Sequence, residues 1–155
     1  MLGIDKFFFK AIDENAAIHD IVENRIFNPA RNQAQEKEDK IPYIVLWFGG
    51  ASSDYDTKDD GTLRPIERGT VNILVVAGDT KESDGTEISA VDNTTHLAEL
   101  VHSAIEEAFE DDDFPEDDWN FEIDDCEPEV SEMEMDPMKP CCFLTLTYKC
   151  QTSKR

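Results

Sequence analysis

An α+β fold is predicted for this sequence, with a mixed, mainly antiparallel sheet of about five to six strands and two main helices packed on one face. Two segments carry apolar residues at helical spacing, and several others are continuously apolar or alternate apolar and polar residues as strands do. The 155 residues, of which 39% are hydrophobic, match one domain spanning residues 1–155.

The first helical pattern begins near the N-terminus. Asp5 is a plausible N-cap for a helix that carries Phe8, Ala11 and Ile12 on one face. Asp13 is placed to cap a further helical segment, and the two segments form either two helices or one kinked helix. The residues predicted to face inward in the further segment are Ala17, Ile18, Ile21 and Val22.

Strands and long loops are predicted to follow. The predicted strands are residues 25–27, 43–48 and 69–77. The predicted loops are residues 31–40, expected to be mobile, and residues 50–68. The strand over residues 43–48 is apolar on both faces, which is typical of a central strand, and it is expected to end at Gly49 and Gly50.

The clearest helix begins near residue 92, with Thr94 or Asp92 as its N-cap. It continues into acidic residues 110–113, whose sign opposes the helix macrodipole. Its apolar positions recur at helical spacing and are Leu97, Leu100, Val101, Ala104, Ile105 and Ala108.

The charge of the chain is concentrated in one segment. The net charge is −22, and residues 82–138 hold 22 of the 36 acidic residues but no Lys or Arg. Apolar residues alternate with polar, mostly acidic ones in residues 119–124 and 132–136, which predicts two strands with an acidic outer face formed by Glu122, Asp124, Glu132 and Glu134. Pro128 marks a turn between these strands, and like charges are expected to repel across the hairpin. A last strand, over residues 141–150, completes a three-stranded meander with Cys142 and Tyr148 on one face.

This charge excludes several classes of function. At a sequence pI near 4.2 the chain offers no basic patch for phosphates, so no direct sequence-specific nucleic-acid binding is expected. No apolar run reaches the ~20 residues that span a bilayer, and no signal peptide is evident. A cytosolic origin is therefore expected, without a membrane partner.

Metal binding has only weak candidates. Asp111, Asp112, Asp113 and Asp117 could hold a hard divalent cation, although a solvated acidic loop explains them better. Residues 56–67 approach a calcium-loop pattern, but Lys58 stands where a ligand oxygen is needed. An exposed hairpin loop is favoured there. No cofactor is expected, apart from a divalent cation that could support assembly.

Catalytic motifs are missing as well. The four cysteines lack the paired spacing of a zinc site and are interpreted as ordinary thiols, with Cys142 in the core. His96 and His102 point in divergent directions along one helix, and neither has an evident nucleophile as partner. The chain is therefore expected not to be an enzyme.

The order of elements resembles that of tailed-phage tail-completion or tail-terminator proteins. The resemblance lies in a helix that ends in residues 21–29, followed by residues 42–45, residues 70–73 and the helix over residues 97–109. It covers residues 5–110 best, and residues 50–68 and 119–136 depart from it. It implies a small non-enzymatic subunit of a phage or prophage virion that forms a ring, commonly of six copies. Such a ring caps the tail in the virion and contacts tail-tube and head-completion proteins, and the chain is expected in the cytoplasm of the bacterial host before assembly.

The acidic residues have more than one interpretation. An acidic lining would keep DNA from adhering to the channel of a ring, whereas an outward acidic face would only aid solubility. A competing hypothesis is an acidic inhibitor that imitates DNA and occupies the basic cleft of a host enzyme. A generic adaptor is a further alternative.

Overall fold

The computed structural model describes residues 4–28, 40–57, 60–110 and 121–154, and it confirms the α+β class. The helices are α1 (Ile4–Asp13), α2 (Ala16–Val22) and α3 (Ala90–Glu110). The strands are β1 (Ile26–Phe27), β2 (Tyr43–Thr57), β3 (Leu63–Gly78), β4 (Thr80–Lys81), β5 (Glu87–Ile88), β6 (Phe121–Val130), β7 (Glu134–Met135) and β8 (Cys141–Lys154). Within this part of the chain, no helix is long and apolar enough to span a membrane.

Six strands form the main sheet. Its order is β1-β2-β3-β8-β6, and β7 also pairs with β8. Among the strands that the structure describes, only the β1–β2 pair in this sheet is parallel, so the sheet is mixed and mainly antiparallel as predicted. Strands β4 and β5 form a separate small hairpin just before α3, which the sequence did not predict.

The N-terminal helical region consists of two helices. Asn15 caps α2, because its side-chain oxygen accepts a hydrogen bond from the Ile18 amide at 3.1 Å. Asp13 therefore ends α1 instead of capping α2, and Asp5 lies inside the first turn of α1 instead of preceding it. Ala17 is exposed and not inward-facing, since the short α2 buries only Ile18 and Val22 fully.

The predicted loop over residues 50–68 is wrong, because β2 and β3 continue through it as a long hairpin. Gly49 and Gly50 do not end β2 but form a bulge, where the register shifts between Phe48 and Ala51. Gly50 has a φ of 88°, which a glycine adopts without strain, and the strand resumes beyond it. The predicted loop over residues 31–40 lies outside the described residues except for Lys40.

The acidic strands are also arranged differently from the prediction. Pro128 is not in a turn but inside β6, directly opposite Tyr148 of β8. A proline is tolerated there because β6 is an edge strand and the Pro128 nitrogen faces outward, away from β8. Strands β6 and β7 do not pair with each other, since both lie along the same side of β8. Trp119 lies outside the described residues.

Helix α3 begins earlier than predicted. Ser89 is its N-cap, because the Ser89 hydroxyl accepts a hydrogen bond from the Asp92 amide at 3.1 Å. Asp79 adds a second acceptor for the first turn, at 2.7 Å from the Ala90 amide. Thr94, a predicted N-cap, is instead fully buried within the helix and donates toward the carbonyl oxygens of Ala77 (3.4 Å) and Cys142 (3.2 Å).

The core lies between the three helices and one face of the sheet. Alternate residues of each central strand face the helices, as the period of two requires. The strand residues in this core include Ile44, Leu46, Val71, Ile73, Val75, Leu144, Leu146, Tyr148 and Cys150. The helices contribute aromatic rings to this core. The ring centroid of Phe8 in α1 lies 5.2 Å from that of Tyr148 in β8. Helix packing on one sheet face is thus confirmed.

Replacing Thr94 tests how α3 is anchored to the sheet. The change Thr94→Val keeps the shape of the side chain but leaves two buried carbonyl groups without this donor, so unfolding by urea should show a loss of about 1 to 2 kcal/mol. Thr95→Val, at the exposed neighbouring position, is the matched control and should have little effect. Equal stability of the two variants would contradict the anchoring role.

Candidate functional site: the acidic edge and the helix-free face

The predicted acidic residues lie together at one edge of the sheet. We call residues 121–136 the acidic edge; they comprise β6, β7 and the segment between them, all placed along β8. Glu122, Glu132 and Glu134 are exposed there, as the predicted acidic face requires. Further acids along the same edge are Asp125, Glu127, Glu129 and Asp136.

Asp124, one of the four predicted acids, contacts two other strands of the sheet. Its Oδ1 accepts a hydrogen bond from the Ser153 hydroxyl at 2.9 Å, and its Oδ2 lies 3.8 Å from the Arg64 guanidinium. A bulge between Ile123 and Asp125 interrupts the strand register at this point. Asp124 thus helps to join β6, β8 and β3, and part of its charge is compensated within the chain.

The expected repulsion across an acidic hairpin does not arise, because β8 and not a second acidic strand pairs with β6. Glu127 pairs with Lys149 and Glu129 with Thr147 in the register of these strands. Lys149 also lies 3.3 Å from the Glu129 carboxylate. The opposing strand is thus neutral or basic, which lowers the electrostatic cost of the acidic edge.

The second face of the sheet has no helix packed on it within the described residues. Side chains on this helix-free face alternate with the core residues, and several large apolar ones are only half-buried. None of them belongs to the core cluster or packs against it. They are Tyr43, Val45, Trp47, Leu74 and Phe143.

The helix-free face changes from apolar to charged along its strands. At the apolar end, Tyr43, Leu74 and Phe143 line a shallow cavity of about 200 Å³. In the middle, the Thr147 hydroxyl donates to Asn72 at 2.8 Å. At the far end, Arg68 lies 3.7 Å from the Asp54 carboxylate. One surface thus combines an apolar patch with directional polar groups, a composition suited to contact with another protein.

A hydrogen-bonded chain joins α3 to β8 on the core side. His102 Nδ1 lies 2.8 Å from the Tyr148 hydroxyl, and His102 Nε2 lies 2.8 Å from the Glu106 carboxylate. Tyr148 is only 1% exposed, and burial raises the pKa of its hydroxyl. These hydrogen bonds therefore have a structural role and hold α3 to β8. The sequence did not predict these hydrogen bonds, although Glu106 follows His102 by four residues on the same helix.

Metal binding gains no support from the described residues. No group of three or more His, Cys, Asp or Glu side chains among them is placed to hold an ion. Asp111, Asp112, Asp113 and Asp117 lie outside the described residues. In the predicted calcium-like segment, the Asp60 carboxylate accepts hydrogen bonds from the Thr62 amide and hydroxyl, which is typical of a turn at a hairpin tip.

The chain is similar to known proteins in its structure. No protein-family model and no curated protein match the chain. Among solved structures, the chain is similar to a chain from the virion of a native gene transfer agent (GTA) particle, at 8% sequence identity. The match covers 97% of this chain and 94% of that chain, with a TM-score of 0.49.

Stability should fall in alkaline solution. The hydrogen bond to Cys150 and burial raise the pKa of the Cys126 thiol, and burial raises the pKa of Tyr148. Above the ordinary values of 9.0 and 10.0, the unfolded chain loses these protons while the native chain keeps them. Each group then lowers the free energy of unfolding by about 1.4 kcal/mol per pH unit.

Urea unfolding at a series of pH values, with a reductant present, measures this loss. These groups should leave the free energy of unfolding unchanged below pH 9 and lower it above pH 9. The decline should be less steep in Cys126→Ser, which lacks the titrating thiol. An equal slope in both proteins would contradict the role given to Cys126.

Proposed function

We propose that the chain is a non-enzymatic structural subunit of a phage or prophage virion, acting as a tail-terminator or tail-completion protein. The observation that carries this proposal is the helix-free face, where half-buried Trp47, Leu74 and Phe143 form a surface suited to a protein neighbour. The order of elements, which resembles that of tail-terminator proteins, supports the same assignment.

The proposed assembly is a ring of identical subunits, with six as the expected number. The two edges of the sheet differ, since β6 is acidic whereas the other edge is formed by the short β1 and the part of β2 beyond it. Contact between unlike surfaces of neighbouring copies is heterologous. It produces a closed ring when the rotations from one copy to the next add up to a full turn. We place the helix-free face in this contact, where burial would remove its apolar residues from water.

In this proposal the acidic edge faces the channel of the ring. Exposed Glu122, Glu132 and Glu134 would repel the phosphates of DNA passing through, so the duplex would not adhere. Six copies would together carry about 130 negative charges, which must be screened by salt or bridged by divalent cations. Tail-tube and head-completion proteins are the expected neighbours in the virion, and the bacterial cytoplasm is the expected place of the chain before assembly.

Mass photometry at a range of salt concentrations tests the assembly. Rings should form at moderate salt or with added magnesium and dissociate in low salt with a chelator, because repulsion between acidic subunits is then unscreened. The same oligomer in both conditions would contradict the need for screening. A stable monomer that binds the basic cleft of a DNA enzyme would contradict the virion assignment and favour DNA mimicry.

A pair of lysine variants tests the assigned contact surface. Leu74→Lys places a charge at the centre of the helix-free face, and it should reduce ring formation at least tenfold while leaving the circular dichroism spectrum unchanged. Val91→Lys adds the same charge at an exposed site of α3 and is the matched control. Rings that form equally well from both variants would show that the helix-free face is not the contact.

A further inference from the structure

Two cysteines from neighbouring strands lie in direct contact. Cys126 of β6 and Cys150 of β8 are opposite each other in the strand register, and their sulfur atoms are 3.2 Å apart. Both are free thiols. Cys150 is almost fully buried at 4% exposure, whereas Cys126 is partly exposed on the edge strand.

The hydrogen-bond pattern shows that Cys126 and Cys150 are a non-hydrogen-bonded pair of the antiparallel ladder. The Ser131 amide donates to the Thr145 carbonyl at 2.9 Å, so these facing residues form a hydrogen-bonded pair. Hydrogen-bonded and non-hydrogen-bonded pairs alternate along an antiparallel ladder, which makes Pro128–Tyr148 and Cys126–Cys150 non-hydrogen-bonded pairs. Pro128 fits this assignment because it has no amide hydrogen to donate.

Non-hydrogen-bonded pairs bring side chains closest together. Their Cα atoms are about 4.5 Å apart, which lies within the range that a disulfide spans. The two thiols therefore need only a small adjustment of their side chains to form a bond. Cys141 and Cys142, adjacent in β8, are paired instead with Gly78 and Ala77 of β3.

We propose that Cys126 and Cys150 form a dithiol site that a small disulfide oxidises to a cross-strand disulfide, fixing the edge strand β6 to β8. This inference goes beyond the proposed function and does not depend on it. A neutral disulfide is the preferred reactant, because the surrounding acidic edge repels anionic ones such as oxidised glutathione.

The reaction has two balanced exchange steps. The Cys126 thiol, the more exposed of the two, loses its proton, and its sulfur attacks one sulfur of the small disulfide. That bond breaks, and one small thiolate leaves and takes up a proton. The Cys150 thiol then loses its proton, and its sulfur attacks Cys126 Sγ and displaces the second small thiolate, which is also protonated. Two electrons have passed from the protein thiols to the small disulfide.

The raised pKa of Cys126 limits the rate of this exchange. The hydrogen bond to Cys150 and burial both favour the protonated thiol, and only the thiolate attacks a disulfide. Oxidation should therefore be slow at neutral pH and need an excess of oxidant. Once formed, the bond closes a loop of about 25 residues, and Tm should rise by roughly 5 to 10 °C.

The folded wild-type protein, treated with 2-hydroxyethyl disulfide, tests the site directly. The protein should become lighter by two hydrogen atoms, and alkylation after denaturation should label two of its four cysteines. Peptide mapping should find Cys126 joined to Cys150, and dithiothreitol should reverse both the bond and the rise in Tm.

Variants distinguish this reaction from general thiol oxidation. Cys150→Ser should accumulate the mixed disulfide at Cys126, and Cys126→Ser should form no internal bond. Cys141→Ser, which removes a buried thiol outside the pair, should react like the wild type. A wild-type protein that stays reduced, stops at a mixed disulfide, or joins Cys141 or Cys142 would overturn the proposal without reference to any variant.

Discussion

The antiparallel pairing of β3 with β8 is the constraint on which the rest of the structure depends. It is continuous from Ile66–Ser153 to Gly78–Cys141 and occupies the centre of the sheet. Because side chains alternate along a strand, this one register assigns Ile73 and Leu146 to the helices and Leu74 and Thr145 to the helix-free face. A slip by one residue would exchange the two faces. The same strand β8 also carries the acidic edge and places Cys150 opposite Cys126.

The sequence was most informative where one local pattern decides the structure. The apolar residues of α3 recur at helical spacing, and those of β3 alternate around Val71, Ile73 and Val75, so α3 and the C-terminal part of β3 were predicted near their observed positions. The prediction was poorer where pairing with a strand distant in the sequence determines the structure. Gly49 and Gly50 carry the ordinary signal for a strand end, yet β3 pairs with β2 on both sides of the resulting bulge. Pro128 likewise signals a turn, but it is accommodated at the outer edge of β6.

The candidate site was predicted only in part, for a similar reason. Alternation in the acidic segment correctly placed Glu122 and Glu134 on exposed strand positions, because that pattern is local. The contacts of Asp124 with Ser153 and Arg64 join residues far apart in the sequence, so no spacing could indicate them. The same holds for the contact between Cys126 and Cys150 and for the hydrogen bond between His102 and Tyr148. The helix-free face was missed because the apolar residues of β2 could equally have belonged to a strand buried on both faces.

The proposed ring assigns a role to each surface of this sheet: one face holds the helices, the other meets a neighbouring copy, and the acidic edge lines a channel. Electron microscopy of the purified protein with magnesium at moderate salt tests this account most directly. Closed rings are expected, in which the helix-free face is covered by the next subunit and residues 121–136 face the central opening. Isolated monomers, or rings that leave Trp47 and Leu74 open to solvent, would contradict it.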